Sequence, residues 1–161
     1  MTPVYQRIVC RDRGDCMTCA VASILDLTYY EVPTWCADIY DWTTAGSTFK
    51  GKRCQLHHIG EYMADWFTAR NLHPLAIAWR DLRDWRLLVG AWCIASIPSQ
   101  GLPGCSHAVV GTWVANDDTV GHEFVIAHDP NPNNGPYAPE VVPTRITFLV
   151  PINPAHLVVL P

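Results

Sequence analysis

Hydrophobic residues follow two different periods along this chain. In residues 16–27, CMTCAVASILDL, the positions Met17, Ala20, Val21, Ile24 and Leu25 recur at i, i+3, i+4, i+7 and i+8. That is the stripe of a helix lying on a core. Gly14 and Asp15 precede it as a flexible turn and an N-cap. Pro33 opens a second short helix through TWCADIYDW (34–42), while GSTFKGK (46–52) has no apolar period. In CQLHHIGEYMADWFTARN (54–71), Leu56, Ile59, Met63, Trp66 and Phe67 restore the helical spacing and predict a third helix. From His73 onward the pattern changes to the short β-rich runs PLAIAW, AWCIASI, SHAVVGTWV, HEFVIAHD and TRITFLVPI, separated by Gly, Pro, Asn and Asp clusters. RDLRDWRLLVG, between the first two runs, reads as a short surface helix, and DPNPNNGPYAPE reads as a turn-rich loop. Helices first and strands second predict an α+β domain, with N-terminal helices packed on a C-terminal antiparallel sheet.

Length and charge narrow this picture. At 161 residues the chain suits one domain, 1–161, with a real core. Its net charge is -4 and its longest basic run is Lys52-Arg53, so no electrostatic footprint for nucleic acid is present. No stretch approaches the roughly 18 uninterrupted apolar residues of a membrane span, and MTPVYQRIVCRDRGDC lacks an apolar core of secretory length. A cytoplasmic protein without a membrane partner is expected. The seven cysteines are an odd number, which argues against a disulfide framework in a reducing compartment. The seven Trp residues are spread along the chain and read as packing.

Candidate chemistry centres on Cys16, in DRGDCMTCAV. A buried hydrophobe, half of a metal pair with Cys19 and a nucleophile are the three readings of this thiol. At the first turn of a helix, unpaired N–H groups and the positive end of the dipole favour a thiolate. A catalytic thiol also needs a base and a group that orients it. SHAVVG puts His107 at the start of one strand, and VIAHDPNP puts Asp129 at the end of the next, where antiparallel neighbours can meet. For zinc, Cys16-x-x-Cys19 and Cys54-x-x-His57 have ligand-like separations, but both lie in helical patterns without a knuckle turn, so no metal or cofactor is expected. His128 alternates to the face opposite Asp129 and reads as structural. His57, His58, His73, His122 and His156 have no evident partner, and Cys105 reads as a neighbour lining the cleft.

The order Cys, His, Asp, with the thiol leading a helix and the other two residues on the sheet, resembles the papain-like cysteine peptidases. It is most similar to their bacteriocin-processing branch, through Cys16 in a D-C context, His107 in HAVVG and the Asp129-Pro130 pair. The opening VYQRIVCRDRGDCMTCAVASILDLTYYEVP is also similar to small bacterial and phage papain-like proteins. The resemblance implies a papain-like fold and thiol hydrolysis of an amide or isopeptide bond in a protein or peptide. It further implies that Gln6, ten residues upstream of Cys16, donates to the oxyanion. The same triad serves deamidases and transglutaminase-like acyl transferases, and an inert binding module on this scaffold is the reading from another class. The rims implied for the cleft are TTAGSTFKGK, SQGLPG and NPNNGPY. If Asp129 is not the third member, Asp117 or Asp118 is next.

Overall fold

The computed structural model describes residues 1–7, 15–33, 48–49, 52–53, 58–82, 88–101, 104–116, 121–138 and 141–153. Among the described residues, two helices, α1 (Cys16–Ile24) and α2 (His58–Thr68), precede a five-stranded sheet. The helix expected at 34–42 lies outside the described residues, as do the first four residues of the third predicted helix and residues 83–87 in the middle of the surface helix. Trp79–Asp81 forms a single 3-10 turn at the start of that last segment. Within the aperiodic GSTFKGK stretch, β1 (Thr48–Phe49) pairs antiparallel with β2 (Lys52–Arg53).

The five runs read as strands form β3 (Leu72–Ala78), β4 (Cys93–Pro98), β5 (Ser106–Asn116), β6 (Gly121–His128) and β7 (Arg145–Pro151). They pair antiparallel in the order β3-β7-β4-β5-β6. Pro74, which has no N–H to give to a ladder, sits on the edge strand β3, where that loss is tolerated. The molecule is therefore an α+β structure, with α1 against β4 and β5 and α2 against β3. Among the described residues no helix is long and apolar enough to cross a membrane.

Alternation along β4 and β5 divides the core between the two faces of the sheet. Ile94, Ala108 and Val110 join Ala20, Val21 and Ala22 of α1, together with Val32 and Phe67. Cys93, Ala95, Ile97, Val109 and Trp113 point the other way and pack with Ile146 beneath Trp79, Phe124, Tyr137, Val141 and Phe148. The central strands thus read as continuous apolar runs because both faces are covered, one by helix and one by loops and aromatic rings.

Helix α1 is more enclosed than its stripe predicts. Thr18, Cys19, Ala22 and Ser23, off the stripe, are buried alongside Ala20 and Val21, whereas Ile24 is only half-buried. The N-terminal segment and Pro33 wrap the far side of the helix. Ser23 Oγ accepts from the Val4 N–H at 2.9 Å, and Thr18 Oγ1 donates to the Pro33 carbonyl at 2.7 Å. Small side chains admit this wrapping.

One glycine is fixed by a close approach. A Cβ on Gly111 would stand 2.3 Å from the tip of the Phe124 ring and 3.3 Å from the Val125 carbonyl oxygen. Gly111→Ala is expected to destabilise the fold by about 1–3 kcal/mol through overpacking. Denaturant unfolding checks this, and an unchanged midpoint would show that the Phe124 ring yields freely.

Candidate active site

His107 and Asp129 meet because of a fault in the pairing of β5 and β6. Val110 pairs with His128 but Gly111 pairs with Ile126, so Ala127 is an extra residue on β6. A one-residue slip exchanges the faces of every following side chain. Here it puts His128 on the α1 face with Val110 and turns Asp129 toward the side of His107. His107 Nε2 lies 2.6 Å from Asp129 Oδ1, and both side chains are largely buried. With Nε2 engaged by the carboxylate, Nδ1 is the ring nitrogen left to face a second partner. The Cys16 thiol, half-buried at the first residue of α1, lies near enough to the same imidazole to act on its titration.

Residues 4–7 lie beside the site. His128 Nε2 bonds the Val4 carbonyl at 2.9 Å, and the Tyr5 ring meets the His128 ring edge-on at 5.0 Å. The Gln6 N–H donates to the Pro130 carbonyl at 2.8 Å, one residue beyond Asp129, and the Arg7 N–H donates to Asp15 Oδ2 at 3.2 Å. The backbone of Gln6 is thereby fixed between the Asp129 turn and the start of α1. Asp15 occupies the N-cap position, but its side chain makes no cap bond to the helix. Its fully buried carboxylate instead takes the Arg7 N–H, which corrects the capping role expected from sequence. The first intrahelical bond runs from the Cys19 N–H to the Asp15 carbonyl, so the Cys16 N–H has no acceptor within the helix.

Asp129 is the most heavily bonded side chain of the site. Its Oδ1 accepts from His107 at 2.6 Å and from the Asn131 N–H at 2.7 Å. Its Oδ2 accepts from Asn134 Nδ2 at 2.7 Å and from the Tyr137 hydroxyl at 2.6 Å. Burial alone would raise the pKa of this carboxyl, but the bonds from His107, Tyr137, Asn134 and Asn131 outweigh it and hold the pKa at about 2. Burial likewise opposes a charge on His107. The bond to Asp129, the influence of Cys16 and the charge of Asp129 nonetheless carry its pKa up to about 9. Asp129 is therefore an anion, and His107 holds its proton, across the neutral range. By contrast, burial first, then the charges of Asp15 and Cys16, push the Cys19 thiol up to about 12, and burial does the same to Cys93. Neither is suited to nucleophilic work.

Of the four residues singled out from sequence, Cys16, His107 and Asp129 come together directly. Gln6 joins them through its backbone. Asp117 and Asp118 lie outside the described residues. Cys105 is exposed two residues before His107, and His128 serves the N-terminal segment. Asn131, Asn134 and Tyr137 were not singled out, although an Asx-rich stretch signals side chains that bond nearby backbone. The NPNNGPY segment, expected only as a rim, supplies three of the four donors to Asp129. It also walls a groove of about 520 Å³ along the edge strand β6. The groove meets the triad only through Asp129, since neither Cys16 nor His107 lines it. Among the described residues no group of three or more His, Cys, Asp or Glu side chains could hold a metal ion.

The two displaced titrations act on stability in opposite directions. A carboxyl held at about 2 stabilises the fold above its unfolded pKa of about 3.9, and that contribution is lost as pH falls through 2. An imidazole raised to about 9 stabilises fully below its unfolded pKa of about 6.5, and that contribution is lost as pH rises through 9. Both are therefore complete between about pH 4 and 6.5. Unfolding free energy is expected to fall by on the order of 2–4 kcal/mol between pH 6.5 and 9.5, and His107→Gln should flatten this decline. Urea titrations across that range check it, and a wild-type decline no steeper than that of the variant would contradict it.

Compared with protein-family models, curated proteins and solved structures, the chain matches none, and its chemistry rests on the geometry of the site itself.

Proposed function

We propose that this chain is a thiol-dependent hydrolase of papain-like type that cleaves an amide or isopeptide bond in a protein or peptide. The observation that carries this reading is one buried imidazole bonded to Asp129 at 2.6 Å and acted on by the Cys16 thiol at the start of a helix. Core filler does not explain it, because a thiol that only packs needs no imidazole and no charged orienting group.

The steps follow from these atoms. His107 already carries the proton given up by Cys16, and Cys16 Sγ attacks the carbonyl carbon to give a tetrahedral oxyanion. The Cys16 N–H, which lacks a helical acceptor, and the Gln6 amide are the donors assigned to that oxyanion. The intermediate collapses, the C–N bond breaks, and His107 returns the proton to the leaving amine. His107 then deprotonates a water molecule that attacks the thioester. The C–S bond breaks, releasing the carboxylic acid and regenerating Cys16. Asp129 takes no proton in this cycle. It fixes the ring tautomer and stabilises the imidazolium.

Two measurements test the proposal. Iodoacetamide near pH 6 is expected to label Cys16 ahead of the buried Cys19 and Cys93 and of the exposed Cys105, as read by peptide mass mapping. Labelling concentrated at Cys105 would overturn it. In a denatured-proteome digest, wild type should produce new termini that Cys16→Ala and His107→Ala do not. Folded Asp129→Asn should retain partial turnover, because an amide oxygen still accepts from His107. Cleavage that survives Cys16→Ala would remove the thiol from the mechanism.

A further inference from the structure

We infer that Tyr137 is a positioning residue of the triad: its hydroxyl, oriented by Asn134, locks the Asp129 carboxylate in the plane from which it holds His107. This deepens the hydrolase reading and rests on it for the meaning of the triad, but the contacts stand by themselves.

The direction of the bonds is set by proton count. Asn131 Nδ2 donates to Asn134 Oδ1 at 3.0 Å, so the Asn134 amide must present its NH2 group to the opposite side. That group reaches Asp129 Oδ2 at 2.7 Å and the Tyr137 oxygen at 2.9 Å. A phenol that accepts from Asn134 has its one proton left to give, and Asp129 Oδ2 receives it at 2.6 Å. The chain therefore runs Asn131 to Asn134 to Tyr137 to Asp129. The Tyr137 ring packs among the partly buried residues around Trp113 and Ile146, which anchors the hydroxyl to the sheet. Burial and the Asp129 charge also raise the phenol above its ordinary range, so it remains a donor throughout the working pH. With two donors on each oxygen, the carboxylate cannot rotate without losing bonds on both. A His107 bond of 2.6 Å is the consequence. The titratable groups that act on His107 are Asp129 beyond β6 and Cys16 from α1.

The test is Tyr137→Phe, which keeps the ring and removes only the hydroxyl, read by NMR titration of the His107 imidazole. The midpoint is expected to fall from about 9 by about one pH unit or more toward the ordinary 6.5 as the carboxylate loses its fixed plane. The alkaline limb of Cys16 alkylation against pH should move with it. Asn134→Ala, which removes the group that orients the hydroxyl, should shift the midpoint in the same direction and decides the matter if Tyr137→Phe does not fold. Val141→Ala, a neighbour in the same apolar cluster, should lower stability while leaving the His107 midpoint in place. A folded Tyr137→Phe protein that titrates like wild type, or a Val141→Ala protein that shifts equally, would reduce Tyr137 to a packing residue. The titration reads the His107–Asp129 pair whether or not Cys16 acylates. The shift seen in a protein without turnover would therefore count against the hydrolase reading and leave the role of Tyr137 intact.

Discussion

A carboxylate taken largely out of water must be matched by donors, and the organisation of this site follows from how Asp129 meets that demand. One oxygen takes the imidazole and a turn N–H, and the other takes an amide and a phenol. Those donors come from β5 and from the loop beyond β6, so satisfying a single side chain closes the loop on the sheet and fixes the ring that faces Cys16. If Asp129 were neutral, the imidazole would lose the charge that keeps its proton in place, and the loop would lose its centre.

The remaining architecture brings the thiol to that ring. Small side chains on α1 let the N-terminal segment wrap the helix while the opposite side beds on β4 and β5. The first residue of the helix is then delivered to the end of the sheet. Asp15 contributes by accepting the Arg7 N–H at 3.2 Å, which ties Arg7 to the start of α1 beside Gln6, whose N–H reaches the Pro130 carbonyl. Helix, sheet and N-terminus thus converge on the few residues between His128 and Asn131. The same convergence explains why two neighbouring residues have separate tasks: His128 holds the N-terminal segment, and Asp129 holds the imidazole.

The sequence carried much of this at the level of period. The start of α1 at Cys16, the strand beginning before His107 and the strand ending at His128 all follow from local spacing and turn residues. The contacts that make the site were less legible. Nothing in HEFVIAHD announces that Ala127 is an extra residue, because a bulge is decided by the partner strand. Asp15 has the composition of a cap, yet the Arg7 N–H competes for its carboxylate, and only the tertiary fold brings that donor near. Asn134 and Tyr137 lie in a stretch whose residues signal turns. Their bonds to Asp129 arise when the loop closes over the aromatic side of the sheet, which no local pattern encodes. That β4 and β5 are buried on both faces, and what covers the second face, came only with the structure.

The central claim is that Cys16 is a nucleophile activated by His107. Rapid mixing of the protein with an activated nitrophenyl ester, followed by peptide mass mapping, examines it most directly. A burst of one equivalent of nitrophenol, with the acyl group on Cys16 and no burst in His107→Ala, is the expected result. No burst in folded wild type, or an acyl group found on Cys105, would contradict it.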